Sequence, residues 1–182
     1  DASAQTFAEA LRAPLLTSFF QIITEAGNLL AVSFITTVII SYFLLRRQNT
    51  IAVALVAALA GTTITVALLK FGIGRARPDV LGALVVEHLS SFPSLHAALS
   101  VGVYGVLAHI AVGRLRTDAS VFAVGALCVT LALLIGMSRI YLGVHYLSDV
   151  LGGYFVGLMW YLTATHYLTN RAPRWTRVRS MV

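Results

Sequence analysis

The chain has 182 residues, of which 58% are hydrophobic and only 11% charged, with a mean hydropathy of +0.86. Values this far from those of soluble domains exclude an ordinary water-soluble fold and make lipid the solvent for much of the surface. The formal net charge of +6 does not mark a nucleic-acid binder, because the basic residues fall between apolar blocks and form no stripe with interleaved aromatics.

The first segment, residues 1–24, mixes Glu9, Arg12 and Pro14 with apolar side chains from Ala4 to Thr24. It is expected to form a helix lying at the membrane interface rather than crossing it. No initiator methionine and no basic, apolar and small-residue signal layout precede it, so an upstream segment, a further span or a membrane domain is expected to be missing. Five apolar stretches of about 20 residues follow, the length that crosses a hydrocarbon core. They run from Gly27 to Leu45, Thr50 to Phe71, Ser94 to Val112, Ala119 to Met137 and Ser148 to Leu168. Bare backbone polar groups are not tolerated in lipid, and these runs are too long and continuous for barrel strands, so each is expected to be α-helical. The expected fold is all-α, a single polytopic membrane domain of five spans plus the interfacial helix, ending in a basic tail over 170–182. Cys128, the only cysteine, lies inside the fourth stretch and reads as packing. Gly152, Gly153 and Gly157 on the fifth are expected to allow close helix contact.

Arginines set the orientation, since short cytoplasmic loops carry the positive excess. Arg46 and Arg47 follow the first span, Arg114 and Arg116 the third, and Arg171, Arg174, Arg177 and Arg179 the fifth. That side is expected to be cytoplasmic and the N-terminus to lie outside. The outer face then receives the connection from Gly72 to Pro93, long enough to serve as a gate for lipids. Four cations, Lys70, Arg75, Arg77 and Arg139, fall on this outer face against the charge rule, and an anionic ligand would account for them.

Three polar clusters meet that face: Lys70 to Pro78, Pro93 to His96, and Ser138 to Asp149. His145 and Asp149 are four residues apart, so a helix start puts them on one face. A carboxylate there can hold one ring nitrogen, fix the tautomer and leave the other nitrogen free to attack. Ser94 and His96 follow Pro93 at a helix start, where unpaired N–H groups and the helix dipole favour a phosphate. His96 is then placed to protonate a leaving oxygen, and Lys70, Arg77 and Arg139 to surround the equatorial oxygens of a phosphoryl group in transfer. Arg75 lies off these positions and reads equally as an aid to phosphate binding or as a structural cation. His88, His109 and His166 read as loop or interfacial residues, and Asp79 and Glu87 as loop solvation or head-group selection.

Together the clusters resemble the three signature motifs of the type 2 phosphatidic acid phosphatase superfamily. They are Lys70 followed after six residues by Arg77-Pro78; Pro93-Ser94-Leu95-His96; and Ser138-Arg139, five residues, His145, three residues, Asp149. The resemblance implies a phosphatase without cofactor or metal, acting on a lipid phosphate among membrane lipids. In it His145 would take the phosphoryl group, Asp149 would support it, and His96 would serve the leaving group and then water. Lys70, Arg77, Ser94, Arg139 and the backbone of Leu95 and His96 would hold the phosphate. The chain departs from the family at Leu95, where glycine is usual, which is expected to tighten the cradle. It also departs in having five expected spans where integral members usually have six. The expected substrates are undecaprenyl diphosphate, phosphatidylglycerophosphate or phosphatidic acid, at the outer surface of a bacterial inner membrane. Transfer of the phosphoryl group to another alcohol is an alternative, as is, from another class, a transporter or channel using the same charges.

Overall fold

The computed structural model describes residues 1–78, 84–85 and 89–171, which form seven α-helices and, among the described residues, no strand. They are α1 (Ala2–Ala10), α2 (Pro14–Glu25), α3 (Leu29–Leu45), α4 (Asn49–Ile73), α5 (Leu95–Val112), α6 (Asp118–Tyr141) and α7 (Leu147–Arg171). α4, α5 and α6 are each long and apolar enough to cross a membrane, and α2 with α3, bent by 42°, qualify together as a fourth crossing. Large apolar side chains such as Phe34, Phe71, Phe122, Leu127 and Phe155 point outward. In water this surface would be prohibitive; in lipid it is the ordinary exterior of an integral membrane protein.

The single interfacial helix expected over residues 1–24 is instead two. The chain breaks between Ala10 and Pro14, and Pro14 opens α2, the position where a missing N–H costs nothing. α2 packs across the end of α6: Phe20 lies against Tyr141 with centroids 4.7 Å apart, and the Tyr141 hydroxyl accepts from Ala13 N at 3.1 Å and bonds Thr17 Oγ1 at 3.0 Å. At the break between α2 and α3, Asn28 caps α3 by accepting from Leu30 N, and Tyr104 of α5 donates to the Ala26 carbonyl.

Arg46, Arg47, Arg114 and Arg116 follow the ends of α3 and α5, and Arg171 closes α7, so all share one end of the bundle. There Arg114 reaches Gln48 Oε1 and lies over the Phe43 ring, above a core of Phe43, Ile51, Leu55, Val106, Ile110 and Leu168. His109 and His166 are helix residues near this end rather than loop residues. Arg174, Arg177, Arg179, Asp79, Glu87 and His88 lie outside the described residues.

At the other end, α5 and α7 approach closely because glycine leaves no side chain between them. A Cβ on Gly153 would stand 2.4 Å from the Ser94 carbonyl oxygen, and one on Gly157 would stand 2.3 Å from that of Ala98. Lipid tails are as apolar as the side chains they touch, so no hydrophobic force drives helices together in a bilayer, and close backbone contact of this kind helps hold the bundle. It also brings the first turn of α5 beside the first turn of α7, where Ser94 N donates to the Asp149 carbonyl at 2.9 Å.

Candidate active site

Each cluster of polar residues sits where a helix starts or stops. α4 ends at Gly74, whose positive φ of 61° and N–H bond to the Lys70 carbonyl form a left-handed cap. That cap turns the chain so that Arg75 and Arg77 fold back over the end of the bundle. The Lys70 ammonium, buried, donates to the carbonyls of Ser90 and Ser91, tying this cap to the segment ahead of α5. Ser94 is the N-cap residue of α5, fully buried, and its Oγ has no hydrogen-bond partner among the described residues. By helix geometry the first-turn amides of Leu95 and His96 have no intrahelical acceptor. Leu95 itself is the first residue of α5, with its side chain packed among Val66, Ala98, Leu99 and Val103. Its helical backbone does not call on glycine's freedom, so the substitution anchors the helix start and leaves its N–H in place.

His145 lies on the turn between α6 and α7. Arg139 holds this turn: its carbonyl accepts from the amides of Val144 and His145 at 3.2 and 3.3 Å, and Gly143 supplies the positive φ of 77° needed to close it. The imidazole is almost fully buried, with Nδ1 3.4 Å from Asp149 Oδ2 and Nε2 3.4 Å from Arg77 Nη1. Arg77 is fixed by donating to the carbonyls of Val144 and Leu89. Burial first, and then the positive charges of Arg139, Arg77 and Lys70, hold the His145 pKa down to about 4 against the upward pull of its bond to Asp149. The ring is therefore neutral near pH 7, with a lone pair available.

His96 lies in the same cluster, close enough to Arg139, His145, Arg77 and Lys70 to feel the charge of each. The bend between α2 and α3 houses its ring: a Cβ on Gly27 would come within 3.1 Å of His96 Cβ and Cδ2. Arg139 is the largest fully buried side chain, and its Nη1 donates to Thr24 Oγ1 of α2 at 2.8 Å. The structure thus brings Lys70, Arg77, Ser94, Leu95, His96, Arg139, His145 and Asp149 to one end of the bundle, from four helices and two connections.

Arg75 is engaged by protein groups. Its Nη1 donates to Asp149 Oδ1 and Ser148 Oγ, both at 2.7 Å, its Nη2 pairs with Asp1 at 3.1 Å, and the guanidinium lies over the Tyr146 ring. Three other residues at the site were not visible in the sequence. Ser91 donates to Asp149 Oδ2 at 2.5 Å, Thr24 receives Arg139, and Gln5 of α1 donates to the His145 carbonyl at 2.6 Å. Only Ser91 had a nearby signal, its position three residues before Ser94.

The sequence model of the PAP2 superfamily matches residues 51–173. Phosphatidylglycerophosphatase B of Bacillus subtilis (strain 168) is 41% identical over 96 residues, 50% of this chain and 45% of that protein, so the match spans less than half the relative's length. Among solved structures, the first transmembrane PAP2 type phosphatidylglycerolphosphate phosphatase from Bacillus subtilis is similar with a TM-score of 0.85 and 28% identity, over 93% of this chain and 84% of that one. LpxE of Aquifex aeolicus gives a TM-score of 0.74 and 25% identity, over 92% and 95% of the two chains.

Proposed function

Because the chain belongs to the PAP2 superfamily, we propose that it hydrolyses a membrane lipid phosphate through a phosphohistidine on His145. The observation that carries this reading is the cluster of His96 and His145 with Lys70, Arg77 and Arg139, close enough for their charges to act on one another. Two histidines and three cations at one depth fit a phosphorus atom with its equatorial oxygens better than they fit an ion path. Transporter sites favour the bilayer midplane, and these residues sit at helix ends. We also read α3 to α7 as five crossings, with the arginine-rich end cytoplasmic by the positive-inside rule and the site facing the periplasm of a bacterial inner membrane.

In the first step the Nε2 lone pair of His145 forms a bond to phosphorus as the bond to the ester oxygen breaks. The negative charge of the bound phosphate lets His96 hold a proton among these cations, and His96 gives it to that oxygen, so the lipid leaves as an alcohol. Asp149 keeps the Nδ1 proton and balances the imidazolium charge. In the second step water attacks phosphorus, His96 takes its proton, and the N–P bond breaks to release inorganic phosphate. Lys70, Arg77 and Arg139, the Ser94 hydroxyl and the first-turn amides of α5 would carry the charge of the phosphoryl oxygens, the task given to metal ions in other phosphoryl-transfer sites.

The names of the relatives favour phosphatidylglycerophosphate among the candidate lipids. Purified protein in mixed micelles is expected to release inorganic phosphate from it with chelator present and no alcohol acceptor. Loss of release in chelator would remove the metal-free mechanism, and release only after an acceptor alcohol is added would make the enzyme a transferase. The acid limb of kcat/KM, corrected for ionisation of the substrate, is expected near pH 4, because the neutral ring is lost only as pH falls through the lowered pKa of His145. Arg77→Met removes one of the depressing charges, so protonation becomes easier and the limb should move to higher pH. A limb that stays in place in the variant would separate Arg77 from His145.

A further inference from the structure

Asp149 has more partners than holding His145 requires. Oδ1 accepts from Arg75 Nη1 at 2.7 Å. Oδ2 accepts from Ser91 Oγ at 2.5 Å and Tyr146 N at 2.8 Å, and faces His145 Nδ1 at 3.4 Å. Ser91 Oγ is itself 3.5 Å from that same Nδ1, and both Ser91 and Asp149 are 0% exposed. A hydroxyl has one proton and two lone pairs. With its proton committed to the carboxylate, the Ser91 oxygen turns a lone pair toward Nδ1, so the ring proton sits in a fork between Ser91 Oγ and Asp149 Oδ2. Ser91 is held for this by its amide, which donates to the Arg75 carbonyl at 2.8 Å, and by Lys70 Nζ on its own carbonyl at 3.3 Å.

Arg75 and Arg77, two positions apart in sequence, divide between the two sides of the imidazole. Arg77 faces Nε2. Arg75 is spent on Asp149, Ser148 and Asp1, on the Nδ1 side. A carboxylate with one oxygen clamped by a guanidinium and the other by a hydroxyl and an amide cannot rotate, and it carries the imidazole's orientation with it.

We propose that Ser91 and Arg75 are positioning residues that act through Asp149, locking the carboxylate and keeping His145 in the Nδ1–H form with Nε2 toward phosphorus. The inference rests on the phosphohistidine reading. Neither residue touches the phosphoryl group, so both contribute to the rate of transfer and little to substrate binding.

The test is steady-state kinetics on phosphatidylglycerophosphate micelles with Ser91→Ala, Arg75→Gln, Arg75→Lys and His145→Ala. Misplacing a nucleophile by a fraction of an ångström to one ångström costs up to about 100-fold, so Ser91→Ala and Arg75→Gln should each lower kcat by about 10- to 100-fold with KM within about twofold. Arg75→Lys, which keeps the cation beside Asp149, should recover part of kcat. A raised KM with unchanged kcat in Arg75→Gln would make Arg75 a phosphate ligand and overturn the assignment. So would wild-type kcat in Ser91→Ala. Should Ser91→Ala fail to fold, Arg75→Gln decides, since that side chain is one-third exposed and its loss leaves no buried cavity. Wild-type activity in His145→Ala would sink the phosphohistidine reading itself. An inactive His145→Ala beside unaffected Ser91→Ala and Arg75→Gln would sink only the positioning role.

Discussion

His145→Ala is expected to lower phosphate release by about 10⁴-fold or more, the scale on which removal of a covalent nucleophile is felt. The cations and amides that would bind the phosphate are left in place by this change, so substrate should still bind and the loss should appear in kcat. The imidazole lies on a turn whose backbone is held independently, by the Arg139 carbonyl on one side and by the bond from Gln5 to the His145 carbonyl on the other. The alanine variant therefore keeps the turn, and a fall in activity without a comparable fall in melting temperature is the expected pattern. Labelling the phosphate of the substrate and quenching in alkali, where an N-phosphorylated imidazole survives, should leave label on the wild-type protein and none on the variant. Label that persists in His145→Ala, or activity within about tenfold of wild type, would place the nucleophile elsewhere.

How much of this site was legible before the structure depended on the range of each interaction. Lys70, Arg77 and Arg139 stood out because cations at the outer ends of apolar helices break the charge rule, and that signal needs no knowledge of packing. His145 and Asp149 stood out because four residues of helix set them on one face. Their approach to His96 rests on α5 and α7 touching through Gly153 and Gly157; the glycines were visible, but not the helix they would touch. Ser91, Thr24 and Gln5 were hidden for a different reason. Their partners lie 58, 115 and 140 positions away, and a serine in a polar connection or a threonine at a helix end has many local uses that look the same in sequence. The N-terminal segment was read as one helix, whereas Pro14, counted only among its mixed residues, opens a second. Gln5, Thr17 and Thr24 in it are directed at the turn after α6, Tyr141 and Arg139.

The proposed division of labour between the two histidines makes a second large effect predictable. His96→Ala should lower turnover of an alkyl lipid phosphate by about 10²- to 10⁴-fold, the usual worth of a general acid. An alkoxide is a poor leaving group without a proton, whereas a nitrophenolate leaves readily without one. On nitrophenyl phosphate the first step should thus be largely restored in the variant, while the second step still lacks the group that takes a proton from water. The expected record is a stoichiometric burst of nitrophenolate followed by slow turnover, with phosphate retained on His145. Equal loss on both substrates with no burst would mean that His96 serves binding or structure, for instance by filling the space beneath Gly27 and Ile135. Full recovery of steady turnover on the aryl ester would confine His96 to the leaving group and require another base for water. Arg139 is then the group to examine least readily as that base, since a guanidinium stays protonated at any working pH, and Asp149 is committed to Arg75, Ser91 and Tyr146. No other acid or base takes part in the proposed mechanism, which is why that mechanism predicts a burst with a slow second step.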